Sequence, residues 1–540
     1  MKIALIQINP IVGDFEYNLD KISSAYSKAV ELGAELTVFP ELALSGYPPE
    51  DLLLKPHFTD SAYAALRKLA ASVIQVPAVV GFPSKKEGGC YNSLALLAHG
   101  DIAEVYDKHV LPNYGVFDER RYFKSGSKAV SAEINGFSVA FTICEDIWQL
   151  DEIAGHLEAL PHPDLILNIS ASPFHKGKIE QRKQILANAA RTLGSPLAYC
   201  NLVGGQDELV FDGRSMFVDT DGKVVTKAAA FDEDICIADL TRDGLTAVTP
   251  RAAQPEDVSL EVFHAVTTGT RDYIRKNGFK KAVVGLSGGI DSAVVAAVAA
   301  EALGPENVIG VTMPSQFNSA QTRSDAKVLA DNLGIAFHTI PIGDTLNSFH
   351  TELLQIDGWN DKTTAYENLQ ARIRGTLLMS LSNQFGWLVL TTGNKSETAV
   401  GYSTLYGDTA GGFAVIKDVP KTLVYKIARR FNELKGREII PESTITRPPS
   451  AELRTDQKDS DSLPDYDLLD GIIEGYVEKD MSAAELVNAG FDAELVQRVI
   501  RLVDMNEYKR RQCPPGVKIT PKAFGRDRRM PITNRYKTRI

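Results

Sequence analysis

The sequence predicts an α/β protein of two domains, the second built on a doubly wound parallel sheet. Three observations carry this expectation. At 540 residues the chain is longer than one hydrophobic core serves. Short apolar runs alternate with longer helical patterns over most of its length. Residues 241–256 lack periodicity, hold Pro250 and Pro255, and so read as a linker between the halves.

In chain order, Lys2-Ile3-Ala4-Leu5-Ile6-Gln7-Ile8 reads as a first strand, too short and too poorly flanked for a signal peptide, which points to a cytoplasmic protein. As far as about residue 240, strands rich in Val, Ile, Leu and Phe alternate with helices. The turn pairs Asp212-Gly213 and Asp221-Gly222 bracket a hairpin through Ser215-Met216-Phe217-Val218. This bounds a first domain at 1–245 and a second at 257–540. The second begins with a helix at 257–277. It continues as strand 281–286, helix 291–303, strand 307–313, helix 319–333, strand 336–342, helix 364–384 and strand 387–392. That βαβ rhythm puts ligands at the carboxyl ends of the strands. The Gly-rich stretch 401–414 and the Pro/Ser/Asp-rich stretch 441–465 read as loops long enough to be lids.

Composition excludes several classes. Hydrophobic content of 44% with 24% charged residues is that of a globular protein, and no apolar stretch approaches a membrane span. The five cysteines, Cys90, Cys144, Cys200, Cys236 and Cys513, are scattered without Cys-x-x-Cys spacing, which argues against a disulfide framework or a zinc site. A net charge of −11 disfavours a nucleic-acid partner. The basic cluster from Lys509 to Arg539 is broken by prolines and suits a small anionic ligand or a subunit contact.

Ser287-Gly288-Gly289-Ile290-Asp291-Ser292 joins the run ending Gly285-Leu286 to a helix N-terminus, the local design of a phosphate site. Glycines let backbone N–H groups approach phosphate oxygens, the helix dipole favours the anion, and the two serines add donors without bulk. The Gly-Lys-Ser/Thr of the Walker pattern is missing. Downstream, Thr391-Thr392-Gly393-Asn394-Lys395-Ser396-Glu397 closes another strand, and Glu397 is suited to share Mg²⁺ with Asp291. On the intervening helix Asn368, Arg372 and Gly375 fall on one face.

In the first half, Phe39-Pro40-Glu41, Tyr106-Asp107-Lys108 and Ile143-Cys144-Glu145 each bring a reactive side chain to the end of an apolar run. With Asn168-Ile169-Ser170-Ala171-Ser172-Pro173 and the Asp-Gly-Arg-Ser segment at 212–215, these residues resemble the nitrilase, or carbon–nitrogen hydrolase, superfamily. The resemblance implies an α-β-β-α sandwich and a Glu41–Lys108–Cys144 triad, with Glu119 as the second glutamate. It also implies that Tyr114, Ser172 and Lys178 hold a glutamine substrate, Lys178 at its α-carboxylate. Such a triad has a direct logic: a neutral thiol needs an adjacent base, and an ammonium answers the developing oxyanion.

The loop at 285–292 resembles the PP-loop of ATP pyrophosphatases, which cleave the α–β bond of ATP. Together with Glu367-Asn368-Leu369-Gln370-Ala371-Arg372, the Thr391–Glu397 segment and Tyr508-Lys509-Arg510-Arg511, it resembles the NAD synthetases over 257–540. The order of the halves resembles the glutamine-using members of that family. The resemblance implies ATP contacts at Gly285, Leu286, Ser287, Gly288, Gly289, Ile290, Asp291, Ser292, Thr392, Lys421 and Ser450. It implies deamido-NAD⁺ contacts at Asn368, Arg372, Glu397 and Lys509, and Mg²⁺ at Asp291 and Glu397. ATP, L-glutamine and deamido-NAD⁺ are the implied small-molecule partners, and a homo-oligomer the implied assembly. Where ammonia-using members carry a substrate lysine and aspartate, this chain has Leu405-Tyr406-Gly407-Asp408 and Gly412, so those contacts do not transfer. An amidase fused to another PP-loop amide ligase remains the alternative at this stage.

Overall fold

Alternate residues of the strand Lys2–Gln7 serve two different cores. Ile3 and Leu5 pack with Val139, Phe141, Ile143 and Leu167 of a second sheet, whereas Ala4 and Ile6 pack with Ile22, Leu66 and Leu69 of outer helices. The period of two along a strand thus builds a sheet buried on both faces. The computed structural model describes residues 1–249, 257–454 and 457–536. The chain divides into two compact units, Met1–Glu256 and Asp257–Ile540.

In the first unit, a seven-stranded sheet runs Gly244–Ala247, Asp234–Thr241, Lys2–Gln7, Leu36–Val38, Ala78–Lys86, Gly89–Ala98, Asp101–Asp107. A six-stranded sheet runs Val224–Lys227, Met216–Val218, Leu197–Asn201, Leu165–Ser170, Phe137–Ile143, Ser131–Ile134. Helices Phe15–Glu31 and Pro56–Ser72 cover the outer face of the first sheet, and Lys178–Leu193 that of the second through Leu186 and Ala189. Four layers result, the α-β-β-α sandwich expected. Two details differ from the expectation. Asp221-Gly222 lies in the turn between Met216–Val218 and Val224–Lys227, but Asp212 ends a strand that pairs separately with Val203–Gln206. Within the segment read as a linker, Gly244–Ala247 is an edge strand on Asp234–Thr241, four residues being too few to show a period. Residues 250–256 of that segment lie outside the described residues, as do 455–456 of the second presumed lid and 537–540 of the basic cluster.

In the second unit five strands, all parallel, lie in the order Ala336–Thr339, Val308–Thr312, Ala282–Gly285, Leu388–Thr391, Phe413–Ala414. The chain steps outward twice from Ala282–Gly285 and returns to its other side, so a topological switch point falls between Ala282–Gly285 and Leu388–Thr391. Helix Ile290–Leu303 is rich in Ala and Val and is buried nearly all round, packed among helices Val258–Lys276 and Lys421–Lys435. Sequence periodicity alone missed the helix Gly343–Leu353 and the helices after 394, of which Lys395–Val400, Tyr466–Ile473, Ala483–Asn488 and Ala493–Met505 close a core of their own around Leu469, Ile472, Val496 and Val499. Among the described residues no helix is long and apolar enough to cross a membrane.

Candidate active sites

Three strand ends of the first unit converge on one buried cluster. Leu36–Val38 leads into Phe39-Pro40-Glu41, Asp101–Asp107 ends one residue before Lys108, and Phe137–Ile143 ends one residue before Cys144. The backbone of Glu41 lies against Gly81, where a Cβ would stand 2.5 Å from the Pro40 carbonyl oxygen, so this approach requires glycine. Cys144 has φ 45° and ψ −101°, a sharp turn from strand into the short helix Glu145–Trp148 that presents the thiol at the strand's tip. Its own N–H donates to the Ile169 carbonyl at 2.8 Å.

Every charge in the cluster is bonded. Lys108 Nζ donates to Glu41 Oε1 at 2.7 Å and to Glu119 Oε1 at 2.9 Å. Glu41 also accepts from Asn92 Nδ2 and, on its other oxygen, from the Ala171 N–H, both at 2.7 Å. Tyr47 Oη donates to Glu119 at 2.9 Å. Burial opposes the charge on Lys108, but Glu119 and Glu41 hold it well above the ordinary lysine range. Burial pushes Glu119 up to about 7 against the pull of Lys108. Burial and the Glu41 charge keep the Cys144 thiol protonated, with Lys108 pulling the other way. The resting pair is thus a neutral thiol beside a carboxylate, not a preformed thiolate.

The residues expected around a substrate are placed as follows. Tyr114 Oη donates to Glu145 Oε1 at 3.0 Å, and Glu145 is the buried residue directly after the thiol. Lys178 starts a helix with Nζ 4.1 Å from the centre of the Trp148 ring, and burial with the nearby Arg182 brings its ammonium down to about 8. Ser172 is buried, its N–H donating to Asn201 Oδ1 at 2.9 Å. Asn92, Tyr47, Glu145 and Trp148 were not singled out from the sequence.

In the second unit the strand ends at the switch point open into a cavity of about 480 Å³. Gly285, Leu286, Ser287, Gly289, Ile290, Asp291, Ser292, Thr392, Lys421, Ser450, Asn368, Glu397 and Lys509 all line it. Gly288 does not. It adopts φ +82° and packs so closely that a Cβ would meet the Thr322 carbonyl oxygen at 2.2 Å, while its own carbonyl accepts from Arg447 Nη1 at 3.1 Å. Arg372 is also absent from the wall: it is exposed, its Nε donating to the Leu405 carbonyl at 3.2 Å. The helix turns Glu367, Asn368, Ala371, Arg374 and Gly375 inward instead, a stripe centred on Ala371, and Arg372 falls just past its edge beyond Asn368. Arg374 donates to the Met313 carbonyl at 3.0 Å, and burial lowers its pKa to about 10, so it remains a cation at neutral pH. Lys509 Nζ donates to the carbonyls of Gly401 and Ser403 at 2.7 and 2.8 Å.

Asp291 and Glu397 face each other across one ammonium. Lys421 Nζ donates to Asp291 Oδ2 at 2.5 Å and to Glu397 Oε1 at 3.2 Å, and Asn394 Nδ2 donates to Asp291 Oδ1 at 2.9 Å. Burial, opposed by Lys421 and reinforced by Asp291, pushes Glu397 up to about 7. Two hard oxygen donors meeting at the cavity wall fit a divalent cation that draws its other ligands from phosphate and water. No group of three or more His, Cys, Asp or Glu suited to a metal occurs among the described residues.

Residues 2–249 match the carbon-nitrogen hydrolase family and residues 262–513 the NAD synthase family. A glutamine-dependent NAD(+) synthetase of Thermotoga maritima is 47% identical over 99% of both chains, and one of Acinetobacter baylyi is 44% identical over 99% of each. The chain belongs to the glutamine-dependent NAD(+) synthetases. The solved structure of the Acinetobacter baumannii glutamine-dependent NAD+ synthetase in complex with ADP matches it with a TM-score of 0.80 at 42% identity, over 100% of this chain and 99% of that one. Within this synthetase the carbon-nitrogen hydrolase match contains Glu41, Lys108, Glu119 and Cys144, and the NAD synthase match contains Asp291, Glu397, Lys421 and Lys509.

Proposed function

We propose that the first unit hydrolyses L-glutamine at Cys144 and that the second consumes the ammonia at an adenylated deamido-NAD⁺, giving NAD⁺, AMP and pyrophosphate. The observation that supports this most is the pairing, in one chain, of a buried Glu41–Lys108 cluster at a strained cysteine with a phosphate-loop cavity at a sheet switch point. Glu41 takes the thiol proton as sulfur attacks the side-chain amide carbon of glutamine, and Lys108 faces the oxygen that becomes negative. Glu41 returns the proton to the departing nitrogen, so ammonia leaves and a thioester remains. Water, deprotonated by Glu41, then breaks the C–S bond and releases glutamate. Glu119, itself held by the Tyr47 hydroxyl, accepts from Lys108 from behind, which keeps the ammonium charged through the cycle. The buried Glu145 with its Tyr114 hydroxyl suits the substrate's α-ammonium, and Lys178 its α-carboxylate.

In the second unit a nicotinate carboxylate oxygen attacks the α-phosphorus of ATP and pyrophosphate leaves. Ammonia then attacks the acyl carbon and AMP departs. The loop Gly285–Ser292 and Arg374 offer donors and positive charge to the nucleotide, and Asn368 and Lys509 line the side left for the dinucleotide. Mg²⁺ held by Asp291 and Glu397 would neutralise charge on the leaving pyrophosphate. Arg372, outside the cavity, is not carried forward as a direct contact. In neutral water ammonia is mostly ammonium, which has no lone pair, so the chemistry favours transfer that keeps it from bulk solvent. Self-association of several copies is proposed on family resemblance and is testable by analytical ultracentrifugation. The decisive assay supplies deamido-NAD⁺, ATP and Mg²⁺ with either glutamine or an ammonium salt. NAD⁺ and AMP should form with both donors and glutamate only with glutamine. No AMP under either condition would overturn the reading.

A further inference from the structure

Family resemblance puts Lys421 on the triphosphate of ATP, yet its Nζ stands between Asp291 Oδ2 and Glu397 Oε1 at 2.5 and 3.2 Å. The side chain is 2% exposed, and its ammonium also lies 5.3 Å from the centre of the Tyr466 ring. Its backbone is pinned: Lys421 N donates to Ser396 Oγ at 2.8 Å, and the next residue, Thr422, donates its N–H to Asp470 at 3.0 Å. The four-carbon stem, by contrast, is free to turn about its own bonds. Two half-buried carboxylates bonded to one ammonium are stabilised by the positive charge between them. A divalent cation needs those same oxygens at about 2.0–2.1 Å, and an ammonium at hydrogen-bond distance from both would sit within repulsive reach of it.

We infer that Lys421 serves as counter-cation to Asp291 and Glu397 when no divalent cation lies between them, and that it must leave the pair before one enters, so that metal binds together with nucleotide and not ahead of it. The inference rests on the reading of Asp291 and Glu397 as the metal carboxylates. The expected contact and the observed one are then two positions of one side chain. ATP supplies what makes the exchange favourable: phosphate oxygens receive the displaced ammonium and also complete the metal's shell. Metal and nucleotide therefore raise each other's affinity, and Lys421 is the residue through which they do so.

The test uses Mn²⁺ alone as probe, on the full chain without nucleotide, and reads the loss of the free-ion electron paramagnetic resonance signal. Lys421→Gln should bind Mn²⁺ at least about tenfold more tightly than the unaltered protein, and adding Asp291→Asn should abolish that gain. Equal binding by the unaltered protein and Lys421→Gln, lost in both on adding Asp291→Asn, would overturn the exchange while leaving the metal carboxylates standing. No binding by Lys421→Gln would overturn it as well. Binding by Lys421→Gln that survives Asp291→Asn would instead sink the carboxylate reading on which the inference depends. Because the substitution leaves two carboxylates without their cation, thermal unfolding gives a second readout. Mn²⁺ should raise the midpoint of Lys421→Gln above its value in EDTA and leave that of the unaltered protein in place; equal shifts count against the exchange.

Discussion

Glu41 and Lys108 share one bond, Nζ to Oε1 at 2.7 Å, with neither side chain exposed to solvent. The other oxygen of Glu41 is held by the Ala171 N–H at 2.7 Å, so the carboxylate is fixed at both ends. Glu41→Gln is nearly isosteric but removes the base that a protonated thiol needs. Glutamine hydrolysis should fall by about 10²–10⁴-fold in steady-state glutamate release. Ammonia-driven NAD⁺ formation should persist. A variant retaining near-normal glutamate release would mean that Glu41 is not the base.

Cys144→Ala tests the separation of the two chemistries. It removes the sulfur that would carry the acyl group while leaving a small side chain in the buried turn. Glutamine-driven NAD⁺ formation should disappear, and formation from ammonium salts should remain within a few fold of normal. Equal loss with both donors would argue against two separable sites.

Lys178 gives the first site a pH signature. With its ammonium brought down to about 8 by burial and Arg182, the free enzyme carries this charge below pH 8 and loses it above. If the charge holds the α-carboxylate of glutamine, kcat/KM for glutamine should fall as pH rises through about 8, with the loss carried by KM. Lys178→Met should have a high KM at every pH. Comparing the two proteins separates the lysine from the titration of glutamine's own amino group. An unaltered protein whose profile runs parallel to that of Lys178→Met would remove Lys178 from substrate binding.

The fold and the reactive residues were legible in different degrees, for physical reasons. The cluster of Glu41, Lys108 and Cys144 was legible because each follows an apolar strand as a lone reactive side chain. The phosphate loop was visible because glycines mark backbone that no other residue can follow, as Gly288 does at φ +82°. The partners of these groups were hidden, since Asn92, Tyr47 and Asn394 reach their targets across 51, 72 and 103 residues of chain. Arg372 was misplaced because an i, i+4 spacing puts it near Asn368 but does not tell where the edge of the inward stripe falls. Arg374, two residues on, is the one in the cavity wall. Lys421 was assigned to ATP, and no sequence signal could tell that its ammonium first bridges two carboxylates.

That bridge makes Asp291 the most informative residue of the second unit. Asp291→Asn leaves one oxygen for two donors: if it accepts from Asn394, an amide N–H faces Lys421 Nζ, and if it faces Lys421 it is a weaker, neutral acceptor and Asn394 loses its partner. One of two carboxylates is lost, so both the resting lysine and any divalent cation lose half of their anionic anchor. Conversion of ATP to AMP and pyrophosphate should fall by at least about 10²-fold, the scale on which fixed charge stabilises a developing anion. Alkylation of Cys144 by iodoacetamide should proceed at its normal rate, because the thiol belongs to the other unit. Pyrophosphate release that continued unchanged would remove Asp291 from the metal site. Glu397, half-buried and pushed up to about 7 chiefly by desolvation, would then bond to Lys421 for structural reasons alone.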